Sequence, residues 1–201
     1  MMTTPKYRNA RETEAKQPGL IGRALHWSVA LLVIFQGLLG YANLHFTWFY
    51  GQGLTTIALH EDVGLMIFVL TLWMLAQRWF EGRRSGHGLD ALQSGLAAAM
   101  HAALYGLILA ESLLGIWIMG LTGDGLSFLF WHINLPIKPD PMLVYGWVMQ
   151  LHAAVAATLA SAVALHALAA LHHHFVIGDD VLRRMLPWKS RSAARVMASS
   201  R

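Results

Sequence analysis

WVMQLHAAVAATLASAVALHALAALHHHF, residues 147–175, contains five histidines and no Asp, Glu, Lys or Arg. It is longer than the roughly 20 apolar residues a helix needs to cross a bilayer, so it reads as a membrane span. His152 and His166 are fourteen positions apart. At about 100° per residue that spacing falls about 40° short of four full turns, so the two rings share a face, about 21 Å apart along the axis. Polar side chains at membrane depth are costly and tend to be functional, so two imidazoles on one face are what the rest of the chain has to explain.

The 201 residues are 56% hydrophobic and only 13% charged, where a soluble domain carries roughly 25% charged residues. The apolar residues collect in four blocks, at about 22–44, 58–80, 97–120 and 147–172. The expected fold is therefore an all-α polytopic membrane four-helix bundle. Its single domain is read as residues 22–175, with an N-terminal tail at 1–21 and a basic C-terminal tail at 176–201. The opening stretch MMTTPKYRNARETEAKQPGL is long and mixed in charge for the leader of a cleaved signal peptide, and is read as a retained cytoplasmic tail. Without cysteine there are no disulfides or thiolate ligands.

Fourteen of the fifteen Lys and Arg residues fall on one side of a four-span arrangement, with Lys138 alone on the other. The positive-inside bias makes that side cytoplasmic and puts both termini there. Topology and anionic lipid headgroups account for the net charge of +4, and no nucleic-acid partner is needed. Loops 45–57 and 121–146 then face outward, and loop 81–96 inward. The third loop, with GDG at 123–125 and LPIKPDP at 135–141, is expected to be an ordered lid or a short interfacial helix. Trp48, Tyr50, Trp131, Tyr145 and Trp147 would mark the outer interface, and Trp79 and Trp188 the inner one.

Four of the histidines inside spans form a pattern: His26, His60, His152 and His166. Span one starts inside, so His26 lies at the depth of His166; span two starts outside, so His60 lies at the depth of His152. Facing imidazoles on two helices make a weak hydrogen-bonded pair but a good axial set for haem iron. The Ala- and Ser-rich face of span four leaves room for a flat macrocycle, although small residues also serve helix packing. A dinuclear metal centre would want carboxylates at the same depth, and only Glu61 and Asp62 follow His60.

With these residues in place the chain resembles the bacterial cytochrome b561 family of four-helix dihaem membrane cytochromes. The likeness rests on His26-Trp27, His60 with Gly64 four residues on, MHAALY at 100–105, LPIKPDP, and the His152/His166 pair followed by His173-His174 and LRRMLPWK. It covers about residues 20–189. The resemblance implies two haem b groups in the bacterial inner membrane, the cytoplasmic-side iron held by His26 and His166 and the outer one by His60 and His152. It also implies electron exchange with the quinone pool, and in one branch oxidation of superoxide at the outer face with reduction of ubiquinone. His173 resembles the residue that this branch places near the inner quinone site. His101 is a second quinone candidate or a propionate partner, with interfacial packing as its plain alternative.

The chain departs from the family pattern at three places. Glu61 and Asp62 follow His60 where a small polar pair is common, and would repel an anionic donor, which favours an outer-face protein donor. Met74 stands where an arginine is common, with Arg78 one turn later. Glu111, near the middle of span three, is either a proton relay or redox-tuning charge, or a protonated acid bonded to a neighbouring helix, for instance at Gln36. The expected function is a membrane electron conduit. The rival readings are a superoxide oxidase, a cytochrome b wiring subunit of a larger dehydrogenase or hydrogenase, and a haem-free transporter or scaffold.

Overall fold

The computed structural model describes residues 19–45, 53–81, 91–128 and 131–186. Four long helices dominate: α1 (Leu20–His45), α2 (Gly53–Glu81), α3 (Ala91–Thr122) and α4 (Pro141–Ile177). α1 packs on α2, α2 on α3 and α3 on α4, and a smaller contact between α4 and α1 closes the bundle. The helices overrun the expected spans because hydropathy marks only the stretch that crosses hydrocarbon. At about 1.5 Å per residue, the 37 residues of α4 exceed the roughly 30 Å apolar layer by several turns. Trp48, Tyr50, Arg83, Arg84, Trp188 and most of both tails lie outside the described residues.

One core cluster draws on all four helices: Val29 from α1, Val63 and Ile67 from α2, Ile108 from α3 and Leu159 from α4. Leu159 is seven residues from both His152 and His166, a spacing that keeps all three on one face of the helix. Met74 packs against this cluster and belongs to the core. The outward surface is apolar on every helix, with Leu38 at 66% exposure, Val69 at 59%, Leu113 at 54% and Leu168 at 62%. A soluble monomer rarely presents so continuous an apolar surface, and lipid is the solvent it suits. This is a multi-pass membrane bundle.

The third loop, expected as an ordered lid or a short interfacial helix, contains a pair of short strands. Residues 126–128 (β1) and 131–133 (β2) form an antiparallel hairpin, with Ser127 opposite His132. Gly125 enters it with a φ of 69°, and a side chain there would press on the Ile133 carbonyl at 2.8 Å, so GDG is turn chemistry. The Ser127 hydroxyl and Asn134 Oδ1 hold the two ring nitrogens of His132 at 3.0 and 3.1 Å. The chain then returns across the end of α3, where the Asp140 N–H donates to the Leu121 carbonyl at 2.9 Å. The Asp140 carboxylate accepts from the Leu143 N–H and starts α4, with Pro141 in the first turn. A π-helical turn at Val144–Val148 buries both of its valines against Leu121.

A second π-helical turn, His173–Ile177, ends α4, and left-handed Gly178 stops it. A five-residue helix, α5 (Val181–Met185), folds back on α1. The Trp27 indole N–H donates to the Met185 carbonyl at 2.7 Å, and the Arg23 guanidinium to the Leu186 carbonyl at 3.3 Å. The chain segment that follows the fourth span is thus pinned beside the start of the first.

Candidate functional site

The bundle brings the four span histidines together in two pairs at opposite ends. His26 of α1 and His166 of α4 have ring centres 6.4 Å apart at an interplanar angle of 58°. His60 of α2 and His152 of α4 are 6.2 Å apart at 77°. A metal–imidazole bond of about 2 Å, plus about 1.1 Å from nitrogen to ring centre, doubled across one ion, gives about 6 Å. Both separations therefore fit one metal ion held axially between two rings. The Nδ1 atoms of His26, His60 and His152 are buried and make no hydrogen bond within the described residues, an expensive arrangement for rings serving only to pack helices.

Each ring of the His60/His152 pair lies over a glycine on a neighbouring helix. A Cβ on Gly40 of α1 would stand 3.1 Å from Cε1 of His60, and one on Gly115 of α3 would stand 3.8 Å from Cε1 of His152. At the first position even a methyl group would be tight against the ring. Gln36, one turn before Gly40, donates to the His60 carbonyl at 2.8 Å, which fixes the α2 backbone beneath that ring. Gln36 is therefore not bonded to Glu111, as the sequence suggested. Glu111 instead places Oε1 3.3 Å from Nδ1 of His152, a close approach without hydrogen-bond angles. Glu61, Asp62 and Asp124 lie close enough to interact at this same end.

At the other end a third imidazole joins the pair. His101 of α3 lies 5.2 Å from His166, edge to face at 74°, and its Nδ1 meets the Ala97 carbonyl at 2.6 Å. A carbonyl only accepts, so that nitrogen carries a proton and donates it. Trp27 stands edge-on to His26 at 5.5 Å, which ties the His26 ring to the α5 contact.

His173 lies beyond this cluster and bonds the Asp179 carboxylate through Nδ1 at 2.5 Å. The second oxygen of Asp179 accepts from the Val181 N–H at 3.0 Å and starts α5. Partial burial pushes the Asp179 carboxyl upward, but the His173 ring, the Val181 amide and nearby Arg184 hold it below the usual carboxylate range. A depressed carboxylate pKa contributes stability above the ordinary value and loses it as pH falls through the lowered one. Amide exchange over residues 178–186 should accordingly stay slow at neutral pH. It should accelerate, after correction for intrinsic rates, once the pH drops below the carboxylate range. Asp179→Asn should show the fast exchange already at neutral pH, and equal protection in variant and parent would rule the contact out as the anchor of α5.

The sequence profile of the prokaryotic cytochrome b561 family matches residues 19–188. The chain belongs to that family. It is 30% identical over 171 residues to cytochrome b561 homolog 1 of Escherichia coli (strain K12), covering 81% of this chain and 93% of the relative. Cytochrome b561 homolog 2 of the same strain is 27% identical over 172 residues, covering 84% and 90%. A Yersinia pestis protein named probable superoxide oxidase CybB is 28% identical over 171 residues, covering 82% and 93%. Family membership implies a b-type haem in the membrane domain, and the two ring pairs are the histidine sets whose spacing suits its iron.

Proposed function

We propose that this chain is a dihaem b-type cytochrome of the bacterial inner membrane, carrying electrons between an outer-face donor and the quinone pool. The observation that carries the reading is the presence of two ring pairs, one near each end of the bundle, each with the separation of a bis-imidazole site. His26 and His166 would hold one haem iron, and His60 and His152 the other. Haem bound there supplies reversible one-electron oxidation and reduction. Arg23, Arg78, Arg183 and Arg184 lie toward the His26/His166 end, and Lys138 lies in the loop at the other. That distribution supports cytoplasmic termini, with the His60/His152 pair as the outer one.

Quinone chemistry needs protons as well as electrons, and the His26/His166 end has side chains suited to supply them. Asp179 keeps the proton of His173 on Nδ1, leaving Nε2 as the nitrogen that exchanges one with a quinone. His101, with Nδ1 bonded to the Ala97 carbonyl, presents Nε2 as a second candidate beside His166. The test is a reduced-minus-oxidised spectrum with haem quantitation on the purified membrane protein. A b-type α band at two haems per chain, oxidised on adding a quinone, is the expected result. Absence of the band would sink the reading.

The Yersinia pestis relative named probable superoxide oxidase favours a second reading, oxidation of superoxide at the outer pair. Glu61, Asp62 and Asp124 at that end oppose it, because like charges slow the approach of an anion. We therefore favour a protein donor over superoxide. Quinone reduction by the isolated chain, driven by a superoxide source and abolished by superoxide dismutase, would reverse that preference.

A further inference from the structure

The two ring pairs differ in their surroundings. Glu111 of α3 brings a carboxylate oxygen to 3.3 Å from Nδ1 of His152, and its other oxygen is buried without a hydrogen bond. Among the described residues no carboxylate lies within ion-pair distance of His26 or His166, whose added neighbour is the imidazole of His101. Gly115, one turn after Glu111 on the same face of α3, stands beside the His152 ring. α3 therefore offers His152 an open floor and one acid, with the acid at the nitrogen that does not face a metal when Nε2 ligates.

We infer that Glu111 is a positioning residue for His152: standing beside Nδ1, its carboxylate would accept the proton there once Nε2 ligates, fix the ring plane and hold the outer haem at a lower reduction potential than the inner one. This rests on the dihaem reading above. The physics is that of a ligating histidine whose second nitrogen donates to a carboxylate, which fixes the tautomer and makes the ring a stronger donor. A ferric haem with two neutral imidazoles carries one more positive charge than the ferrous form. In its ionised form an acid a few ångströms away in low dielectric therefore favours the ferric state. With the carboxylate on the outer pair alone, transfer from outer to inner site runs downhill, so Glu111 sets the inward direction of flow. It also gives a buried acid in a membrane span a reason to be there.

The test is potentiometric titration of the intact protein and of Glu111→Gln and Glu111→Leu, monitored optically, with ferric low-spin EPR as a second readout. Both variants should keep two haems. At a fixed ambient potential the ferric-to-ferrous ratio of the outer haem should fall at least tenfold, a shift of about 59 mV for one electron, more in the leucine variant than in the glutamine one. The outer EPR signal should change and the inner one stay. Which titration belongs to the outer haem is read from its loss in His152→Ala. Unchanged potentials in both variants, or a shift confined to the inner haem, would overturn the inference while leaving the dihaem reading intact. Failure to find two haems in the parent protein would instead defeat that reading. Should both variants lose haem, the parent decides: an outer potential below the inner one supports the role of Glu111, and the reverse order rejects it.

Discussion

His152→Ala should reduce the haem content of the purified protein from two per chain to one, with the remaining haem still reducible and still oxidised by quinone. Among the described residues the imidazole of His152 is paired with that of His60, 6.2 Å away, and Glu111 and Gly115 beside it supply no nitrogen to replace it. Haem affinity built on two axial bonds does not survive the loss of one when no neighbour can take its place. His166→Ala should remove the other haem and leave the first. His101→Ala is the informative control: its Nδ1 is committed to the Ala97 carbonyl, and its ring stands beside His166 as a third member of the cluster. It should retain both haems. Haem quantitation against protein, with optical spectra, checks all three, and two full haems in His152→Ala would remove that residue from the ligand set.

Gly40→Val should lower the occupancy of the same haem without touching a ligand. A Cβ built on Gly40 stands 3.1 Å from Cε1 of His60, and the two further methyl groups of valine add bulk beside that ring. His60 cannot retreat freely, because Gln36 holds its carbonyl at 2.8 Å and its partner sets the other limit. Overpacking of this kind costs about 1–3 kcal/mol, which is roughly a 5- to 150-fold loss of haem affinity. Gly40→Ala should keep both haems and displace only the outer potential. Nothing stands within 4 Å of a Cβ built on Gly37, so Gly37→Ala should behave as the parent. Competition for haem with a high-affinity apoprotein measures the series. Equal retention by the valine variant and the parent would show that His60 does not need the Gly40 surface.

Much of the architecture could be read from the chain alone, for identifiable reasons. Four apolar blocks of span length leave few alternatives once the charges are sorted to one side, and a spacing of fourteen residues returns to the same helix face. The residues around the rings were harder to see. Gly40 matters only because α2 places His60 against it, and a glycine in a membrane helix carries no mark of what it faces. Glu111 stood out as an acid at depth, but its partner depends on the rotation of α3, and the sequence pointed to Gln36 where the structure has His152. The strand pair 126–128 and 131–133 is three residues on each side, too short to show alternation. Asp179 lies six positions after His173, beyond the three- and four-residue contacts of a continuous helix, and only the left-handed turn at Gly178 brings the two together.

Both ring pairs take one member from α4, the last of the four spans to be made. During synthesis the membrane therefore holds three helices with His26 and His60 in place and neither site complete. With the proposed ligand set, haem capture would follow insertion of α4, and α5, which bonds Trp27, is made after it. A chain interrupted before residue 152 would then carry half of each proposed site, so a cell could distinguish finished from unfinished copies by whether the cofactor is retained.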